Sequence, residues 1–298
     1  MSKMGIICWI PLWRALTFSI NSFLKKKKGA LSSITMKGMG SESIPPEKNN
    51  ALKAAEAFSA AFGTDGVDIT VYNNIPIGGG LGGSSADVVG VLNGMAALYG
   101  VTDRVKLKEL ADTLGSDTGY MLDGGFARMQ GRGEQVTKLD LTNKLYFLLI
   151  CPNSSVSAGE CYRAFDNQPR TLEYRGCQTQ TCIDLLRKND LNEGGRYLMN
   201  DLFRAAYSLN GEVGKAYEEA QSFSPLGVTM SGSGSCVLAM FETKELCEWA
   251  KSRYKGKFRT YVVETVIPNY AGLAKKTPTV WRNPFVLSTE EIESAEEE

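Results

Sequence analysis

Five of the six residues from Gly78 to Gly83 are glycine, with Leu81 the exception, and Ser84 and Ser85 follow. Glycines let backbone N–H groups approach an anion closely. The nine residues before Pro76 (Val67 to Ile75, VDITVYNNI) read as a strand rich in β-branched side chains. After the run, Val88, Val89, Val91, Leu92, Met95, Ala96 and Tyr99 recur at helical spacing. A strand therefore empties into a glycine loop that opens a helix, with the two serines as expected N-caps. A helix N-terminus carries partial positive charge, so the expected chemistry is a phosphate cradle. The bland alternative is a glycine-rich turn with no ligand. No Lys-Ser or Lys-Thr follows the last glycine, which excludes a Walker A loop. No acidic residue ends a second parallel strand at the usual distance, which excludes the dinucleotide fingerprint.

The chain contains no histidine, so any acid–base chemistry must use a carboxylate, a lysine or a tyrosine. Asp117, in Ser116-Asp117-Thr118-Gly119, is the candidate base. A carboxylate of pKa about 4 is a weak base, so its placement matters more than its strength. Its bland role is to cap or turn the chain after Gly115. A second glycine-rich segment, Ser231-Gly232-Ser233-Gly234-Ser235, lies between two candidate strands and reads equally as a hairpin turn.

At 298 residues the chain is long enough for two domains. It is 43% apolar and 22% charged, with 33 basic and 33 acidic residues, a balance that argues against a nucleic-acid partner. Seven scattered cysteines with no C-x-x-C pair and no histidine give no zinc set, and no metal site is expected from protein ligands alone. An odd number of them in mostly apolar context points to a reducing compartment, the cytoplasm.

Met4 to Leu24 carries a single charge, Arg14, and precedes four lysines. Read literally it is a short membrane anchor, a case that Pro11, Arg14 and Asn21 weaken. A second reading takes each codon from the third base of one residue and the first two bases of the next. Met4–Gly5 then gives Gly without ambiguity and Trp9–Ile10 forces Asp, and permitted codons spell D/N-G-Y-H-M-L-D-T-V-M. A run of four lysines implies an adenine-rich tract where a base is readily lost or gained. Roughly the first 25 residues are therefore expected to be out of frame.

From Gly29 onward the pattern is that of an ordinary domain. Ser32 to Met39 reads as a strand, Lys48 to Phe62 and Val105 to Leu114 as helices, Phe126 to Met129 and Gln135 to Leu139 as paired strands. Lys144 to Cys151 is a continuous apolar run, a buried strand. Helices are expected over 158–165, 181–188, 198–209 and 212–222. Strands 227–230 and 236–241, a helix 244–254 and a strand 259–266 then follow. That order suits helices on one face of an antiparallel sheet. The fold class is α+β, and the domain divisions are expected at residues 1–28 (aberrant), 29–152, 153–285 and 286–298, an acidic tail.

Pro76 to Ala86 (P-I-G-G-G-L-G-G-S-S-A) and Met230 to Cys236 (M-S-G-S-G-S-C) resemble two of the glycine motifs of the GHMP small-molecule kinases. Leu114 to Tyr120, Val156 to Tyr162 and Ile44 to Ala55 are similar to segments of one family among them, the 4-diphosphocytidyl-2-C-methyl-D-erythritol kinases. The resemblance spans about residues 30 to 267. It also reaches the alternate frame, because that family carries D-G-Y-H near its start, after an A-K-I-N-L strand.

The resemblance implies a ribosomal S5 domain 2-like N-terminal domain and a ferredoxin-like C-terminal domain. It implies transfer of the ATP γ-phosphate, with Mg²⁺, to a cytidine-diphosphate-linked polyol. By matched position, Pro76, Gly78, Gly79, Gly80, Leu81, Gly82, Gly83, Ser84, Ser85 and Asn50 would bind ATP. Asp117 would be the base. Ser231, Gly232, Ser233, Gly234, Ser235 and Tyr162 would face substrate and phosphate, with Tyr162 stacking on cytosine. Asn50 could instead be an ordinary helix cap, and Tyr162 a half-buried core tyrosine. The lysine of A-K-I-N-L and the histidine of G-Y-H have no counterpart here, so this chain is expected to turn over poorly and to be less stable. Alternatives are another kinase of the superfamily (homoserine, mevalonate or sugar) and a nucleotide-binding protein without activity. A monomer or homodimer is expected, with no membrane partner.

Overall fold

The structure is a computed structural model that describes residues 20–29, 31–131, 133, 135–168, 179–265 and 280–282. The first 19 residues, which hold most of the expected out-of-frame segment, and the acidic tail from 286 lie outside them. The described chain forms two compact units. One comprises 20–75, 83–122 and 280–282; the other comprises 76–82 and 123–265. The division thus falls at Leu122/Asp123, not at the expected 152/153, and the glycine run up to Gly82 clusters with the second unit.

In the first unit, β1 (Ile20–Lys27) pairs antiparallel with β3 (Gly66–Asn73) over eight positions. β2 (Ser33–Lys37) runs parallel to β3 on its other side. β1 lies largely within the stretch expected to be out of frame, and it is nonetheless a strand. Its backbone ladder to β3 carries it: Ser22 and Leu24 are buried while Lys25 and Lys26 face solvent. Lys26 reaches over the Tyr99 ring at 4.8 Å and Lys27 pairs with Asp68 at 3.1 Å. β10 (Val280–Arg282) pairs antiparallel with β1 at Phe23, Leu24 and Lys25.

Four helices complete this unit's core. α1 (Asn50–Phe62) is capped by Asn49, whose Oδ1 accepts from Ala51 N at 2.9 Å, and ends at Gly63 with φ 65°. α2 (Gly83–Tyr99) is buried at almost every position from Val88 to Leu98, as its apolar spacing predicts. α3 (Arg104–Leu114) is capped by Asp103 and leads into the one-turn helix α4 (Thr118–Met121). α4 packs on both α2 and α3.

The second unit is built on an antiparallel sheet of β7 (Gly227–Met230), β8 (Val237–Phe241), β6 (Tyr146–Cys151) and β9 (Arg259–Glu264), in that order. β6 is central and buried from Phe147 onward, which accounts for its unbroken apolar run. α9 (Gly211–Gln221) and α10 (Lys244–Arg253) cover the sheet through Ala216, Ala220, Cys247 and Ala250 against Leu148, Ile150 and Ala239. α5 (Ala158–Asp166) and α8 (Phe203–Leu209) form a smaller cluster with Met230 and Val156. The helices α6 (Thr179–Arg187) and α7 (Leu191–Gly195) and the hairpin β4 (Ala127–Gln130)–β5 (Gln135–Lys138) complete it. α8 begins at Phe203 rather than at the expected Leu198, because Asn200 and the residues around it form a turn. Mixed helices and antiparallel strands are the expected α+β class.

Candidate active site

In the second unit the two glycine segments interlock. The Ser231 hydroxyl donates to the Gly80 carbonyl at 3.0 Å, and Cys236 N donates to the Gly79 carbonyl at 3.1 Å. Within the later segment Ser231 N donates to Cys236 O and Gly234 N to Ser231 O, each at 2.8 Å. The contact leaves no room for side chains. A Cβ on Gly80 would lie 2.8 Å from the Gly234 carbonyl oxygen, and one on Gly78 would lie 2.5 Å from Ser155 Cβ. Gly78, Gly80 and Gly82 also hold φ near +70°, the left-handed region.

The two segments thereby orient peptides. In a trans peptide the C=O and the following N–H point in opposite directions. Pinning the Gly79 and Gly80 carbonyls to Ser231 and Cys236 turns the Gly80 and Leu81 N–H groups away from the second segment. Residues 231–236 are, as the bland reading had it, the turn of the β7–β8 hairpin. The same turn is the brace of the glycine run.

Asn200 is a partner that sequence reading missed. Its Nδ2 donates to both the Met230 and Gly232 carbonyls at 2.8 Å, which fixes the brace in turn. Nothing in its local pattern marks it, because the contact spans 30 residues. Tyr162 lies on α5 of this unit and is 42% exposed, so its ring is not a core tyrosine.

The remaining candidates lie in the first unit. Gly83 is the first residue of α2, so Ser84 and Ser85 sit inside the first turn and are not its caps. The first N–H groups of a helix have no intrahelical acceptor, so the α2 head is a ready anion site. Asn50 is likewise not a cap, since Asn49 does that work; its Nδ2 donates to the Ser84 hydroxyl at 2.6 Å. Asp117 immediately precedes α4 and makes no capping bond with its side chain. Its backbone is held: Met121 N donates to its carbonyl at 2.9 Å, and Thr118 Oγ1 donates to the Ala111 and Gly115 carbonyls. Half-burial raises the Asp117 pKa above the ordinary carboxylate value. Asp87, in the first turns of α2, is a carboxylate that sequence reading passed over. Its Oδ1 is shielded from solvent with no hydrogen-bond partner, and burial pushes its pKa up to about 7. Among the described residues no group of three or more His, Cys, Asp or Glu is placed to hold a metal. No helix among them is long and apolar enough to cross a membrane.

Comparison with known proteins identifies the family. The family described as GHMP kinases N terminal domain matches residues 49–127, and GHMP kinases C terminal matches residues 182–256. The fold is shared with solved structures at low identity. A homoserine kinase from Cytophaga hutchinsonii superposes with TM-score 0.69 at 18% identity, covering 95% of this chain and 99% of that one. A 4-(cytidine 5'-diphospho)-2C-methyl-D-erythritol kinase superposes with TM-score 0.64 at 23% identity, covering 87% and 97%. The chain belongs to the GHMP kinases. Among these its similar relatives include the 4-diphosphocytidyl-2-C-methyl-D-erythritol kinase of Carboxydothermus hydrogenoformans, 35% identical over 211 residues, 70% of this chain and 73% of that protein. The enzyme of the same name from Caldicellulosiruptor saccharolyticus is 31% identical over 232 residues, 77% and 79% of the two chains. It is to this kinase family that the chain belongs.

Proposed function

We propose that the chain transfers the γ-phosphate of ATP to the 2-hydroxyl of 4-diphosphocytidyl-2-C-methyl-D-erythritol, in the non-mevalonate route to isoprenoid precursors. The observation that carries the nucleotide half is the pinning of the Gly79 and Gly80 carbonyls, which frees the Gly80 and Leu81 N–H groups for an anion. Phosphoryl transfer asks the protein chiefly for positioning and charge stabilisation. Glycines 78, 79, 80 and 82 bind phosphate through backbone N–H groups in one unit; Gly83, Ser84 and Ser85 at the head of α2 do so in the other, where Asn50 steadies Ser84. The acceptor half rests on the names of the relatives, because the fold is common to homoserine and mevalonate kinases as well.

Asp117 takes the proton of the attacking hydroxyl. Absence of a capping bond leaves its carboxylate available, and burial makes it a better acceptor than a solvated aspartate. Ser231 to Ser235 brace the phosphate loop, and Tyr162, on α5 and 42% exposed, stacks on the cytosine. Mg²⁺ that travels with ATP draws most of its ligands from phosphate oxygens and water. The Ser84 and Ser85 hydroxyls, hard oxygen donors at the head of α2, fit such an ion. The five described free cysteines suit a cytoplasmic enzyme, acting as monomer or homodimer. An ADP-release assay with the cytidine-linked polyol against homoserine and mevalonate tests the acceptor.

A further inference from the structure

Two thiols lie directly beneath the phosphate loop. Cys151 ends β6 and Cys236 immediately precedes β8. The β6–β8 register runs through Ile150↔Val237, which makes Cys151 and Cys236 the next cross-strand pair. Both are buried free thiols. The neighbouring Cys151 thiol, more than burial, raises the Cys236 pKa well above a free thiol's. The Cys236 sulfur is also the atom nearest to a Cβ built on Gly79, so it packs against that glycine from below. Directly opposite antiparallel residues keep their Cα atoms about 4.5–5.5 Å apart, inside the span that a disulfide bridges.

The geometry points to Cys151 and Cys236 as a reversible disulfide site that, once oxidised, disables the phosphate loop. The oxidant is a peroxide. When the loop lifts and the pair meets water, the Cys236 sulfur ionises and attacks one peroxide oxygen, releasing hydroxide that takes up the thiol's proton as water, and leaves a sulfenic acid. The Cys151 sulfur then attacks the sulfenic sulfur and expels its oxygen as water. Two thiols lose two protons and two electrons, and hydrogen peroxide becomes two waters. The sulfurs close to about 2.05 Å. Cys236 Sγ is drawn toward β6 and away from Gly79, while Cys236 N still holds the Gly79 carbonyl. The glycine run keeps its two backbone anchors but loses the sulfur packed beneath Gly79, and the void left there loosens the loop. Because Gly79 covers Cys236, the reaction needs the loop to lift, and bound nucleotide slows it.

The consequence for binding rests on the phosphate-cradle reading; the disulfide itself does not. The test treats the reduced full chain with hydrogen peroxide, with and without a non-hydrolysable ATP analogue. Cross-linked peptides are mapped by mass, and nucleotide affinity is measured by calorimetry. The expected results are a Cys151–Cys236 cross-link, formed more slowly with nucleotide bound, and binding weakened at least about tenfold, restored by dithiothreitol. Cys151→Ser, or Cys151→Ala should the serine variant fold poorly, keeps its affinity under peroxide. Absence of the cross-link, a cross-link with unchanged affinity, or equal loss in the Cys151 variants overturns the proposal. Failure of the reduced chain to bind nucleotide would instead refute the cradle, while the mass result still decides the disulfide.

Discussion

The Ser231 hydroxyl and the Gly80 carbonyl meet at 3.0 Å across 151 residues of sequence, and this bond joins the two glycine segments. A net hydrogen bond contributes about 0.5–1.5 kcal/mol. Ser231→Ala is expected to lower stability by that amount and to weaken nucleotide binding several-fold, by freeing the Gly80–Leu81 peptide to rotate. Calorimetric titration with a non-hydrolysable ATP analogue checks it; unchanged affinity would mean that the brace does not orient the loop.

Gly80→Ala is expected to be worse. The left-handed backbone alone costs about 1–2 kcal/mol for a non-glycine residue, and the new Cβ would press on the Ser231 and Gly234 carbonyls. Thermal unfolding should show a lower midpoint and titration little or no nucleotide binding. Gly63→Ala, at a helix end with open space around it, is the control for backbone strain without the clash.

Asp117→Asn should cut turnover by about 10²–10⁴-fold, the range for a positioned general base, with unfolding little changed. The raised pKa of Asp117 adds a pH signature. Its ionised form is the base, so kcat/KM should rise with pH through a limb lying above the ordinary aspartate value, and Asp117→Asn should erase that limb. Near-normal rates in the variant would remove the assignment.

Asp87 makes a stability prediction. Its folded pKa of about 7 lies above the 3.8 of an unperturbed aspartate. Between those values the unfolded chain has released its proton while the folded chain retains it, so stability falls as pH rises. The stabilising contribution is complete below pH 3.8 and lost by about pH 7. Asp87→Asn, neutral at every pH, should melt at a higher temperature than the wild type at pH 8 and show a weaker pH dependence between 4 and 7. Identical melting profiles for the two proteins would mean that Asp87 is ionised and satisfied.

Both glycine segments were legible in the sequence because glycine density is a local signal, and so was β6, whose unbroken apolar run reflects burial on both faces. Asp117 was singled out by its motif, and its role is a proposal. Asn200, Asp87 and the Cys151–Cys236 pairing were not, since each acquires meaning only from strand register or from what fails to face it. The chain leaves the first unit at Pro76 and returns to it at Gly83, a division that no composition shift records.

The N-terminal stretch is the place where pattern and packing disagree. β1 pairs well along its backbone, yet Ser22 on it and Asp87 on α2, the helix that packs against it, each bury a polar atom with no partner. Such a mismatch is what a strand read from the wrong frame would produce. Sequencing the coding DNA upstream of Gly29 should reveal a frame that spells D-G-Y-H. An intact single frame with no such alternative would refute the expectation.

The central claim is the acceptor, and ADP release from ATP measures it most directly. With 4-diphosphocytidyl-2-C-methyl-D-erythritol, homoserine and mevalonate offered separately, the cytidine-linked polyol should give the highest kcat/KM. Its rate should be slow, for want of the family's N-terminal lysine. Preferential turnover of homoserine or mevalonate would contradict the account.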